Sequence, residues 1–191
     1  MVNHKMIQND GSHNQQAGRD IINNFKIEEI EKKPTRIAKI ISLLSQEITD
    51  EIPDDYSAIN FYDIADKISF NNVKKYKEII DRYGFFGSII ENICNKLDTD
   101  KPNSKSRMFE YIKFLYIEEK NKICVGLNKE KCLEKIKENA DNIIDAIRIK
   151  LIELINKSKG LDDVNQDDID ISLVSLVAVA FINCKILEKP E

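Results

Sequence analysis

Between Asp167 and Leu187 the chain reads DDIDISLVSLVAVAFINCKIL, and from Ile169 onward only Asp170, Ser172, Ser175, Asn183 and Lys185 are polar. No narrow apolar stripe can be drawn on such a run, so as a helix it must be covered on most sides. Its β-branched residues Ile169, Ile171, Val174, Val177 and Val179 also suit a strand, but the length of the run decides for helix. A bilayer span needs about 20 nearly uninterrupted apolar residues. This run is shorter, opens on acids and contains Asn183 and Lys185, so we read a buried helix of a soluble domain. Asp167 or Asp168 is placed to cap its first turn, where acids suit the positive end of the helix dipole.

A helix that needs covering on every side calls for a domain large enough to cover it. The 191 residues suffice for one domain and a tail. With 32% charged and 42% hydrophobic residues, no Trp, six Gly and four Pro, the composition favours helices over a turn-rich sandwich. The net charge is -4, and Lys and Arg are interleaved with Asp and Glu, which argues against a phosphate-binding face. The local cluster Lys74, Lys75 and Lys77 reads as a solvated helix face. No basic start followed by an apolar core opens the chain, so cytoplasm is the default compartment. Cys94, Cys124, Cys132 and Cys184 form no C-x-x-C pair and have no His nearby, which predicts buried, reduced thiols.

Residues 1–24 differ from the rest. They are rich in Asn and Gln, hold both histidines, His4 and His13, and show no helical period. Two histidines without a third and fourth ligand do not make a zinc site. Within this tail, Gln15, Gln16, Ala17, Gly18, Arg19, Asp20 and Ile21 form a strand-length segment that can pair with another edge, on a partner or on a second copy; the alternative is a disordered tail.

Residues 25–191 then read as one helical domain. Pro34 fits the first turn of a helix whose face is Ile37, Ile40, Ile41, Leu44 and Ile48. Residues 56–72 read as a loop with one short helix. Val73, Tyr76, Ile79, Ile80 and Tyr83 form a helix, with Gly84 as a left-handed cap. Phe85, Phe86, Ile89, Ile90, Ile93 and Leu97 form the next, so the two predict a helical hairpin. Ser104 caps a helix carrying Met108, Tyr111, Ile112, Leu115 and Tyr116. Asn128 caps the longest predicted helix, running from Cys132 and Ile136 through Ile147 to Ile155. The expectation is an all-α domain of about six to seven helices around a buried C-terminal helix, preceded by the polar tail.

Chemistry finds little purchase. A nucleophile needs a base beside it, and the only histidines lie in the tail. There is no Gly-x-x-x-x-Gly-Lys loop and no Gly-x-Gly-x-x-Gly after a strand. The pairs Asp54 and Asp55, Asp162 and Asp163, and Asp167 and Asp168 sit at predicted helix boundaries, where capping explains them better than a cation does. The aromatic set Phe70, Tyr76, Tyr83, Phe85, Phe86, Tyr111 and Tyr116 has helical spacing and reads as core. No catalytic, cofactor or metal residue is assigned.

Two blocks carry a resemblance: Lys67-Ile68-Ser69-Phe70-Asn71-Asn72-Val73-Lys74-Lys75-Tyr76-Lys77-Glu78-Ile79-Ile80, and Ala180-Phe181-Ile182-Asn183-Cys184-Lys185-Ile186-Leu187-Glu188-Lys189-Pro190. Together they resemble the C-terminal domain of bacterial ABC-three-component conflict systems, and the segment from Asn14 to Ile21 resembles short Gln-x-Ala-Gly-Arg-Asp-Ile stretches at the start of bacterial defence proteins. The resemblance implies an assembly with an SMC-like ABC ATPase, a small middle component and an effector, directed against phage or plasmid DNA. No effector-sized domain precedes Thr35, so a stand-alone version of the domain is expected. The resemblance supplies no catalytic residue. The expected role is therefore a cytoplasmic, non-catalytic adaptor, with Gln15 to Ile21 as a second contact or a route to homo-oligomers. A DNA-binding regulator using a helical hairpin near residues 73–97 is the alternative, and a metal-dependent hydrolase using clustered acids is a third reading.

Overall fold

The apolar C-terminal stretch forms a helix, and the other elements are arranged around it. The structure, a computed structural model, describes residues 32–48, 61–99 and 102–190. They belong to one unit, Lys32–Glu191. In chain order the helices are α1 (Arg36–Ile48), α2 (Phe61–Phe70), α3 (Lys77–Tyr83), a 3-10 turn (Gly84–Phe86), α4 (Gly87–Asp98), α5 (Ser104–Cys124), α6 (Lys129–Glu138), α7 (Ala140–Asn156) and α8 (Gln166–Ile182). Among the described residues there is no strand, only an isolated bridge between Lys33 and Ser158. The chain is thus an all-α domain, as its composition and periodicity predict. The tail, residues 1–24, lies outside the described residues.

Helix α8 is touched by α1, α3, the 3-10 turn, α4 and α7. Every residue from Ser175 to Phe181 is buried, with Ile169, Ser172 and Leu173 below them. This burial on several sides is what a run without an apolar stripe requires. Helix α5 forms an outer layer against α1, α4, α6 and α7. No described helix is long and apolar enough to cross a membrane.

Several local expectations are corrected. The helix expected from Asn128 to Ile155 is two helices, α6 and α7, so α5, with 21 residues, is the longest among the described residues. Asn139 makes the break: its backbone N–H and its side-chain amide both go to the Lys135 carbonyl, the local competition by which asparagine unseats a helix. Gly84 is not a left-handed cap, since its φ is -64° and the backbone stays right-handed across the junction. Its reason is close approach, because a Cβ there would collide with Ile182 Cδ1. Nor are α3 and α4 a hairpin: α3 lies chiefly against α8 and α4 chiefly against α1 and α5, rather than against each other. Pro34 precedes the first helix instead of entering it. Thr35 Oγ1 accepts the Ala38 N–H and also meets Ser158 Oγ at 2.9 Å.

The C-terminal helix also ends earlier than expected. Its last residue is Ile182, and Cys184 and Leu187 take left-handed conformations with φ of 54° and 60°. Ile186 and Leu187 are nevertheless buried, on an irregular segment that folds back across the molecule.

Candidate functional site

Helix α2 explains that fold-back. Ile64, Lys67, Ile68 and Asn71 follow the i, i+3, i+4, i+7 spacing of one helix face, and all four are buried. Two of the four are polar, and the end of the chain is what they meet. Lys67 is 3% exposed. Its ammonium donates to the Phe181 carbonyl at the end of α8, which also accepts the Cys184 N–H at 3.0 Å, and to the Ile186 carbonyl at 3.1 Å. It also lies 4.3 Å from the centre of the Phe181 ring. Asn71, fully buried, donates its amide to the carbonyls of Lys67 at 2.9 Å and Glu188 at 2.8 Å, and accepts the Glu188 N–H at 3.0 Å. One amide thus pairs with the Glu188 backbone as a neighbouring strand would.

The Glu188 carboxylate turns the other way, toward α5, and accepts from Tyr116 Oη and from Lys120 Nζ at 2.6 Å. The cluster therefore ties α2, α5 and the last residues of the chain together. Its electrostatics follow from burial and pairing. Burial lowers the Lys67 ammonium to about 8, against Cys184 and Glu188, which raise it. Burial and the bond to Glu188 push the Tyr116 phenol well above its usual range. Burial works to raise the Glu188 carboxyl, and Lys120, Tyr116 and Lys67 overcome it, leaving the group below the usual carboxylate range.

A second polar cluster fixes α3. Asp141, just past the Asn139 break, accepts the backbone N–H groups of Lys74, Lys75 and Tyr76 at 3.1 to 3.4 Å. It caps the start of α3 from another helix. One turn on, Asp145 accepts from Lys75 Nζ at 2.7 Å and from Tyr76 Oη. Lys75, part of the lysine cluster read as a solvated face, thus has its charge met by the protein's own carboxylate. Burial and Asp145 raise the Tyr76 phenol to about 12. Beside this cluster, a cleft of about 310 Å³ lies between α2 and α3 over Ile68 and Val73, with Ser69, Asn72, Lys77 and Asp81 at its edge.

The carboxylate pairs do not converge. Asp162, Asp163 and Asp167 are exposed; Asp162 pairs with Lys32 and Asp168 with the Asn165 amide. Neither Asp167 nor Asp168 is the cap of α8, which is Asn165. Among the described residues no three His, Cys, Asp or Glu side chains are grouped to hold a metal. Gln15 to Ile21, His4, His13, Asp54 and Asp55 lie outside the described residues.

The cysteines correct the expectation of four reduced, buried thiols. Cys124 and Cys132 form a disulfide, Cys94 is buried and unbridged, and Cys184 is unbridged but exposed. The bond joins the last residue of α5 to the first turn of α6. Tertiary placement, not spacing motif, brings the pair together, because the chain reverses at Gly126, whose φ is 73°.

No protein-family model, curated protein or solved structure matches this chain.

Proposed function

We propose that this chain is a non-catalytic helical adaptor in a prokaryotic anti-phage or anti-plasmid complex, docking to an SMC-like ABC ATPase and its small companion in the cytoplasm. The observation that supports this reading most is that the two blocks of resemblance are bonded to each other. Lys67 and Asn71 of the first hold Phe181, Ile186 and Glu188 of the second across more than 110 residues of chain. The likeness therefore falls on one packed unit, whose polar groups serve the fold. Gln15 to Ile21 would add a second contact by pairing as a strand with a partner or another copy.

Gentle purification of the tagged protein from its native host, followed by mass spectrometry, tests the proposal. The expected result is an SMC-like ATPase and a small protein in fixed ratio. Recovery of the protein without either would overturn it, and recovery with DNA in a strongly salt-dependent manner would favour the regulator reading. The tail is polar and shows no helical period, so deleting residues 1–24 should leave the melting temperature within about 2 °C while reducing partner recovery. An equal loss of stability and recovery would place the tail in the core.

A further inference from the structure

Helix α6 is held more weakly than any of its long neighbours. Of its ten residues only Ile136 is buried, whereas α7 buries six side chains. Cys132, Leu133 and Lys137 are half-covered and the other six residues are exposed. The ion pair between Lys135 and Glu138 lies within the helix and ties it to nothing else. Lys137 adds one contact, 4.0 Å from the centre of the Phe70 ring. The loop before it is exposed throughout from Val125 to Asn128, with Val125 79% and Leu127 37% exposed. One covalent bond, Cys124 to Cys132, fastens this hairpin at its base.

We infer that the Cys124–Cys132 disulfide is a redox latch that holds α6 against α5 and releases it when reduced. Both sulfurs belong to half-covered residues beside an exposed loop, so a thiol of a cellular dithiol reductant can reach them. Its thiolate attacks Cys124 Sγ and breaks the S–S bond. Cys132 leaves as the thiolate, favoured by its place in the first turn of α6, and takes up a proton. The reductant's second thiol then displaces Cys124 as a thiolate, which is protonated in turn. Two electrons and two protons pass to the protein, and the reductant ends as a disulfide. With the bond cut, α6 has lost its covalent tether and buries a single side chain, Ile136, which leaves a ten-residue helix poorly held. Its release uncovers the sides of α5 and α7 on which it lies. In a reducing cytoplasm, the compartment proposed above, such a bond is transient and regulatory rather than a permanent staple. The latch itself does not depend on the adaptor reading: exchange rates test the one and co-purification the other.

Hydrogen exchange on the full chain, air-oxidised and then treated with dithiothreitol, tests the latch. The Cys94→Ser/Cys184→Ser variant confines the chemistry to the bonded pair. Peptides within residues 125–138 should exchange at least tenfold faster after reduction and recover on reoxidation, while residues 140–156 and 166–182 keep their rates. Equal rates in both states, acceleration spread over α7 and α8, or alkylation of both Cys124 and Cys132 before any reductant is added would each overturn the inference.

Discussion

Lys67 shows how much a single residue can commit. An ammonium that is 3% exposed is tolerated because two backbone carbonyls and an aromatic face receive it. The cost remains visible as its lowered pKa, and it sets a pH dependence. Between about 8 and the 10.5 of an unfolded lysine, the native chain has released a proton that the unfolded chain keeps. At this group the unfolded state binds more protons there, so its own contribution to stability rises with pH across that window, by roughly 3 kcal/mol at full extent. From about pH 9 an opposing contribution grows, because Cys94 keeps a thiol proton, and Tyr76, Tyr111 and Tyr116 keep phenolic protons, that the unfolded chain loses. Urea denaturation from pH 7 to 11 should therefore show stability climbing to a maximum near pH 9 and falling beyond it. Lys67→Met should abolish the climb while leaving the fall; a variant that still gains stability from pH 7 to 9 would put the effect elsewhere. A signal for Lys67 existed in the sequence, since it shares the helical face of Ile64 and Ile68. Periodic reading counts only the apolar positions of such a face, so a buried cation with its own acceptors passes unmarked.

At the scale of elements, the sequence is most legible where burial is one-sided. The faces of α1 and α5 and the existence of α8 follow from spacing alone, because water and core impose a period. Junctions are less legible, as they depend on what lies opposite. Asn139 breaks a continuous apolar pattern and thereby delivers Asp141 to the start of α3, a pairing that no local spacing encodes. Gly84 looks like a helix stop but lies under Ile182. The expected outcome for Gly84→Ala is a loss of no more than about 1 kcal/mol, because the atom met is the free end of the Ile182 side chain, measured by thermal or urea unfolding. Ile182→Val, which removes the colliding Cδ1 methyl, should recover part of that loss in the double variant. If the two substitutions are strictly additive, Gly84 is required for some reason other than this contact. The disulfide was illegible for the same reason: Cys124 and Cys132 become neighbours only once α5 and α6 reverse direction.

For the whole molecule, one helix gathers the others, and the residues after it close the structure by returning to α2 and α5. The candidate site is thus a product of the fold's closure, which explains why neither block suggested it alone: Lys67 and Asn71 lie more than 110 residues from the Ile186 and Glu188 they hold. The tail, on which the expected partner contact falls, lies outside the described residues. The central claim is that the last residues are integral to the domain, and urea denaturation of a chain ending at Ile182 tests it most directly. That chain loses the buried Ile186 and Leu187, the Ile186 acceptor of Lys67 and the Glu188 partner of Asn71. Two buried apolar side chains and an underpaired buried ammonium should together cost about 4 kcal/mol or more, a large share of the total for a domain of this size. A shortened chain that is unfolded or strongly destabilised is the result expected here, whereas one that unfolds at the same urea concentration as the full chain would contradict the account.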